Sequence, residues 1–176
     1  MPDENHRAIS ELTLDDYRTN AEAFRDGTRD HDVSQNIDAL LRHIEGKAPL
    51  RILDLGCGPG RDLKAFTARG HIAVGLDGAE PFVTMARAET GCEVLHQNLL
   101  ELDLPAESFD GIFANAVLFH LPSREIAESP RGTSACRGIV LFQPTRRQPG
   151  RLEWRPLRHL VRLAYVAALA AFRRIH

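Results

Sequence analysis

The chain has 176 residues, which suits one domain and is short for two. Hydrophobic residues make up 43% and charged residues 26%, proportions that exclude a disordered or fibrous chain. The formal net charge of -2 conceals a break: residues 1–127 hold 12 basic and 22 acidic side chains, whereas residues 128–176 hold 10 and 2, and all ten are Arg.

Residues 1–25 are acidic and have no apolar stretch of the signal-peptide kind. The longest uncharged apolar run near the C-terminus, residues 163–172, is ten residues long where a membrane span needs roughly 20. Cys57, Cys92 and Cys136 are odd in number and show no C-x-x-C spacing, so neither a disulfide framework nor a metal site is expected. The expected setting is cytoplasmic, with no membrane partner.

In chain order, residues 1–46 read as a helical cap. Leu14, Tyr17, Ala21 and Phe24 recur at helical spacing behind Thr13, a fair N-cap, with Asp15 and Asp16 favourably placed against the helix dipole. A second helix from about Ser34 places Ile37, Leu40, Leu41 and Ile44 on one face, with Gly46 as its C-cap glycine. The pattern then changes. Ile52-Leu53-Asp54-Leu55 is a buried-strand run, residues 62–69 a helix stopping at Gly70, and residues 72–76 a second strand ending at Asp77. Pro81 suits the first turn of the next helix, residues 92–95 form a third strand, and residues 109–114 a fourth. This alternation predicts an α/β fold with a mostly parallel sheet and flanking helices over residues 47–142.

The strongest chemical signal is Asp54-Leu55-Gly56-Cys57-Gly58-Pro59-Gly60, alternating glycines between a strand and a helix. Such a turn lets backbone approach a ligand closely. Asp77 ends the next strand, where a carboxylate can accept both hydroxyls of a ribose. A nicotinamide dinucleotide site is the alternative, and its G-x-G-x-x-G fingerprint would need glycine at Arg61 or at Leu63. Asp54 would also repel a pyrophosphate, whereas it suits a cationic ligand.

Together these residues resemble the class I S-adenosylmethionine-dependent methyltransferases. The run from Ile52 to Gly60 looks like that family's first motif, Leu76-Asp77 like its ribose-binding acid, and Phe109-Asp110-Gly111-Ile112-Phe113-Ala114-Asn115 like its fourth-strand motif. The resemblance covers about residues 12–127 and implies a Rossmann-like fold, S-adenosyl-L-methionine as cofactor and methyl transfer. It also implies roles. Gly56, Cys57, Gly58 and Gly60 would line the methionyl and ribose part, Asp54 would sit near the ammonium group, and Asp77 with Gly78 would hold the ribose diol. Asn98-Leu99 would meet the adenine, Asn98 accepting the amino hydrogen through its amide oxygen, and Asn115 would sit beside the sulfonium.

No catalytic side chain is assigned, because the sulfonium is already activated and positioning does most of the work. His120 reads as a loop histidine, His31 and Asp32 as a helix entry, Arg29 as a solvated charge, and Cys57 as small bulk without redox chemistry. The acceptor is unidentified, with a small molecule favoured over nucleic acid.

Residues 143–176 form an atypical Arg-rich tail that implies an incomplete C-terminal part of the sheet. After Asn115 a full sheet of this type needs on the order of 90 residues, and 61 remain. Gly138-Ile139-Val140-Leu141-Phe142 still reads as a fifth strand. Codons can be chosen for residues 143–160 whose reading one base later resembles the stretch after the fifth strand of bacterial methyltransferases. The expectation is an out-of-frame C-terminus, with a degenerate, inactive product as the alternative to methyl transfer, against a genuine tail with a helix at residues 157–174. Sequencing the gene through the codon for His176 and beyond tests this, and an uninterrupted frame reproduced in close relatives would refute the frameshift.

Overall fold

The computed structural model describes residues 4–44, 46–105, 108–115, 117, 139–148 and 151–156. Two helices, α1 (Glu4–Thr28) and α2 (Ser34–Leu41), precede strand β1 (Arg51–Leu55). Then come α3 (Arg61–Ala68), β2 (Ile72–Asp77), α4 (Glu80–Thr90), β3 (Glu93–His96), β4 (Gly111–Asn115), β5 (Ile139–Gln148) and β6 (Arg151–Pro156).

The sheet order is β3-β2-β1-β4-β5-β6. All neighbours pair in parallel except β5 and β6, which are antiparallel. The chain therefore steps outward from β1 through β2 to β3, then returns to β1's other side with β4. Connections leaving in opposite directions from β1 and β4 open a crevice at the C-terminal strand ends, the usual ligand position in an open α/β sheet.

Strand alternation divides the core. Ile52, Ala73 and Phe113 face Ile37 and Leu40 of α2, Leu63 and Phe66 of α3, and Val83 and Ala86 of α4. Leu53, Leu55, Val74, Leu76, Ile112 and Ala114 point the other way, where Leu99, Leu102 and Leu104 cover them. The period of two in a strand sets this division. Asp54 shares the parity of Ile52 and so enters the helix side. Gly60, at φ +94°, starts α3 against α4, where a Cβ would come within 3.1 Å of Ala86 and 2.9 Å of the Thr90 methyl. Pro81 falls in the first turn of α4, as its fixed φ favours.

The helical cap differs from the sequence reading in two places. Thr13 is not an N-cap: α1 begins at Glu4, and the Thr13 hydroxyl donates to the Ile9 carbonyl at 2.9 Å, one turn back. The helix kinks instead at Asn20 (φ -109°, ψ 18°), whose side-chain amide donates to the Asp16 carbonyl that a regular helix reserves for its backbone. Nor does Gly46 cap α2. That helix ends at Leu41, and the His43 N–H donates to the Leu40 carbonyl in a tightened turn, while Ile44 still packs on the core. Asp32 accepts the Ser34 N–H at 2.9 Å, the local role expected of it.

At the other end, β5 runs past Phe142, where the sequence reading closes the Rossmann-like region, and β6 pairs inside the Arg-rich segment. The fourth-strand follower His120 and the helix considered at residues 157–174 lie outside the described residues.

Phe66 and Phe113 are fully buried and meet edge to face at 5.2 Å between centroids, joining α3 to the sheet centre. Phe66→Ala is expected to cost about 3–5 kcal/mol. A urea titration checks this as a fall in midpoint at unchanged slope.

Candidate functional site

The glycine turn is pinned to the end of the neighbouring strand. After β1 the N–H groups of Gly56 and Cys57 both donate to the Leu76 carbonyl, at 2.8 and 3.0 Å. One residue on, Gly58 N–H donates to Asp77 Oδ2 at 2.9 Å, and Ala79 N–H donates to Asp77 Oδ1 at 2.9 Å. Gly60 N–H closes the turn on the Cys57 carbonyl at 3.1 Å. Gly56 has φ +73°, and a Cβ there would overlap the Val117 side chain, so both conformation and space require glycine.

Beside this turn lies a cavity of about 160 Å³ roofed by α1. Gly56, Cys57 and Gly58 line it from β1, Asp77 and Gly78 from β2, Asn98 and Leu99 from the end of β3, and Asn115 from β4. Two expected members are elsewhere. Asp54 is 2% exposed and lies behind the wall, because strand alternation turns its side chain into the core. Gly60 faces α4 and does not reach the cavity.

Other residues line the cavity that the sequence reading left out. Tyr17 and Phe24 of α1 pack with Phe82 of α4, with ring centroids 5.2–5.5 Å apart. Arg61 and Asp62, the first residues of α3, also face it. Their signal was weak: charged residues after a glycine turn read as an ordinary helix start. His31 lines the cavity too, although the sequence favoured a helix-entry role.

A half-buried polar chain runs along one side. Asn36 Nδ2 of α2 donates to Asn115 Oδ1 at 3.2 Å, and Asn115 Nδ2 approaches Asp62 Oδ2 at 3.4 Å. Arg61 holds Asp62 through Nε to Oδ1 at 2.6 Å and Nη2 to Oδ2 at 3.0 Å, while Nη1 donates to the carbonyl of Thr28, the last residue of α1. Asn36 is 4% exposed and gave no sign in the sequence beyond its place on the α2 face. At the opposite end Asn98 Oδ1 accepts the Leu100 N–H at 3.0 Å and lies 3.4 Å from the Ser10 hydroxyl. A backbone N–H can only donate, so it determines which end of the Asn98 amide faces it.

The family profile described as a methyltransferase domain matches residues 53–130. Trans-aconitate 2-methyltransferase of Mycolicibacterium gilvum is 34% identical over 85 residues, 47% of this chain and 32% of that protein. The 24-methylenesterol C-methyltransferase 2 of Oryza sativa is 33% identical over 108 residues, 57% of this chain and 28% of that protein. Residues 53–130 form a methyltransferase domain of the kind this profile describes. The aligned stretch spans about a third of these curated relatives. In fold, the chain is similar to magnesium protoporphyrin IX methyltransferase of Synechocystis, solved with bound S-adenosylmethionine, at a TM-score of 0.65 and 18% identity, covering 91% of this chain and 85% of that one.

Burial dominates the electrostatics around the cavity. It raises the Asp54 carboxyl well above the usual carboxylate range; the Asp62 charge raises it further, Arg61 opposes, and Asp77 adds a smaller rise. Asp54 Oδ2 is buried and has no hydrogen-bond partner among the described residues. Asp77 is raised by burial too, against the backbone N–H groups of Ala79 and Gly58, which favour its charged form. The Cys57 thiol is pushed well up by burial and then by the Asp54 and Asp77 charges, so it is no nucleophile at neutral pH.

Because the folded-state pKa of Asp54 is raised, the folded protein keeps this proton to a higher pH than the unfolded chain. The linked stability is fully present below the ordinary aspartate value of 3.8 and is lost as pH rises through the folded-state value. Asp54→Asn removes this titration. Its melting temperature relative to the parent is expected to climb from pH 4 upward in thermal scans, and a pH-independent difference would contradict the assignment.

Proposed function

We propose that the cavity binds S-adenosylmethionine and that the domain transfers its methyl group to a small-molecule acceptor. The observation that carries this reading is the position of Asp77. Its carboxylate ends β2, braces the glycine turn and faces the same cavity at the reversal of strand order. Asp77 accepts the Gly58 N–H at Oδ2 and the Ala79 N–H at Oδ1, and a carboxylate's further lone pairs leave it able to accept from a ribose.

The residues fit the cofactor along its length. Asn98 and Leu99 meet the adenine end, Asp77 and Gly78 the ribose, Gly56, Cys57 and Gly58 the thioether region, and Asn115 the sulfonium. Asn98 changes role from the expectation set by its sequence. With its amide oxygen shared between the Leu100 N–H and the Ser10 hydroxyl, it offers the base a donor from its amide nitrogen instead of an acceptor. The bound cofactor supplies an activated methyl group, and the chain's residues orient it and exclude water around it.

A small acceptor is supported by relatives whose names specify trans-aconitate and a methylenesterol. It is also supported by a cavity whose only Lys or Arg among the described lining residues is Arg61, a poor footprint for a phosphate backbone. The glycine spacing and the family match both stand against a nicotinamide dinucleotide.

Isothermal titration with S-adenosylmethionine tests the reading. Asp77→Ala removes charge-assisted hydrogen bonds of about 1.5–3 kcal/mol, so affinity is expected to fall about 10- to 100-fold. Undiminished affinity would remove the assignment.

A further inference from the structure

The candidate groups are ordered along the sheet edge. Asn98 follows β3, Asp77 ends β2, Gly56 and Gly58 follow β1, and Asn115 ends β4. If the adenine lies at the Asn98 end, the other end of the cofactor lies beside Asn115. That end is an α-amino acid, carrying a carboxylate and an ammonium group on one carbon.

Beside Asn115 the cavity wall presents a cation and an anion side by side. Arg61 and Asp62 are joined at 2.6 and 3.0 Å, and Asp62 Oδ2 is also approached by the Asn115 amide. Their side chains are 25% and 8% exposed. A guanidinium has five N–H groups. Three of these are used, two on Asp62 and one on the Thr28 carbonyl, so two remain for a ligand. Asp62 Oδ1 accepts one bond among the described residues, from Arg61, and keeps acceptor capacity. Asp54 supplies a second observation. Its carboxyl senses the Asp62 charge, and its buried Oδ2 lacks a partner among the described residues. Two carboxyl groups share one guanidinium here, and a ligand cation beside them would favour the charged form of each.

We propose that Arg61 and Asp62 clamp the zwitterionic amino-acid end of the cofactor, Arg61 taking the carboxylate and Asp62 the ammonium. This rests on the cavity being the S-adenosylmethionine site. It moves the ammonium contact from Asp54, where the sequence motif placed it, to a residue eight positions further on. Asp54 then acts from behind as an electrostatic support. The adjacent opposite charges hold each other in place before the ligand arrives, so little side-chain ordering is left for binding. Arg61 also carries the contact to α1 through Thr28.

The test compares ligands that differ only at this end, using the full chain. S-adenosylhomocysteine carries the amino-acid group, and 5′-methylthioadenosine lacks it. Arg61→Met and Asp62→Asn are each expected to weaken S-adenosylhomocysteine about tenfold or more, as loss of a charge-assisted bond implies. The same variants should leave 5′-methylthioadenosine within about twofold, a readout that also reports an intact pocket. Proportional loss of both ligands, or loss of neither, overturns the clamp.

The unaltered protein gives a second measurement that needs no variant to fold. Decarboxylated S-adenosylmethionine, lacking only the carboxylate, should bind about tenfold more weakly than S-adenosylmethionine. Equal affinity overturns the role of Arg61. If the unaltered protein binds none of the four ligands, the reading of the cavity itself fails and the clamp falls with it; adenosine-dependent binding without discrimination at the amino-acid end overturns the clamp alone.

Discussion

One carbonyl oxygen holds the site together. Leu76 O accepts the N–H groups of both Gly56 and Cys57, which fastens the turn after β1 to the end of β2. Cys57 is buried and Gly56 half-buried, and leaving a buried N–H unpaired here would cost about 1–3 kcal/mol. Every other feature of the cavity depends on this placement. It brings Gly58 within reach of Asp77 and aims the start of α3, and therefore Arg61 and Asp62, back across the strand ends.

The helix side of the sheet explains why a carboxyl group can be buried there. Asp54 is surrounded by Asp62, Arg61 and Asp77, while the same face a few residues away is closed by Leu63, Phe66 and Phe113. The low polarity that stabilises the core by excluding water also raises the cost of ionising Asp54. A functional wall and a hydrophobic core share one layer of side chains. Changes to either reach the other through α3.

Much of this was legible in the sequence, for physical reasons. Period-two alternation in β1, β2 and β4 and the glycine turn are local patterns, and local sterics decide them. Asp77 was readable because strand ends in this topology converge. Asp54 illustrates the limit: its place in a motif predicted a ligand contact, but side-chain parity turned it inward. Thr13 and Gly46 failed for another reason. Each is a good terminal residue, yet α1 continues through Thr13 because its hydroxyl finds the Ile9 carbonyl, and α2 stops early while Ile44 is still held by the core. Asn36 and the Arg61–Asp62 pair depend on contacts between α2, α3 and β4, which no local pattern encodes.

The kink at Asn20 divides the roof of the cavity into two boards with unequal fastenings. The first is held by the Ser10 contact to Asn98 and by Arg7 to Glu101, an exposed ion pair of the kind worth about 0–1 kcal/mol. The second is held by Phe24 against Phe82, with Tyr17 joining them from just before the kink, aromatic contacts worth about 0.5–1.5 kcal/mol per pair beyond their buried area, and by the Thr28 carbonyl on Arg61. The two ends of the cavity are thus shut with different firmness. The roof is fastened by polar contacts at the Asn98 end and by aromatic packing and the Thr28 carbonyl at the Arg61 end.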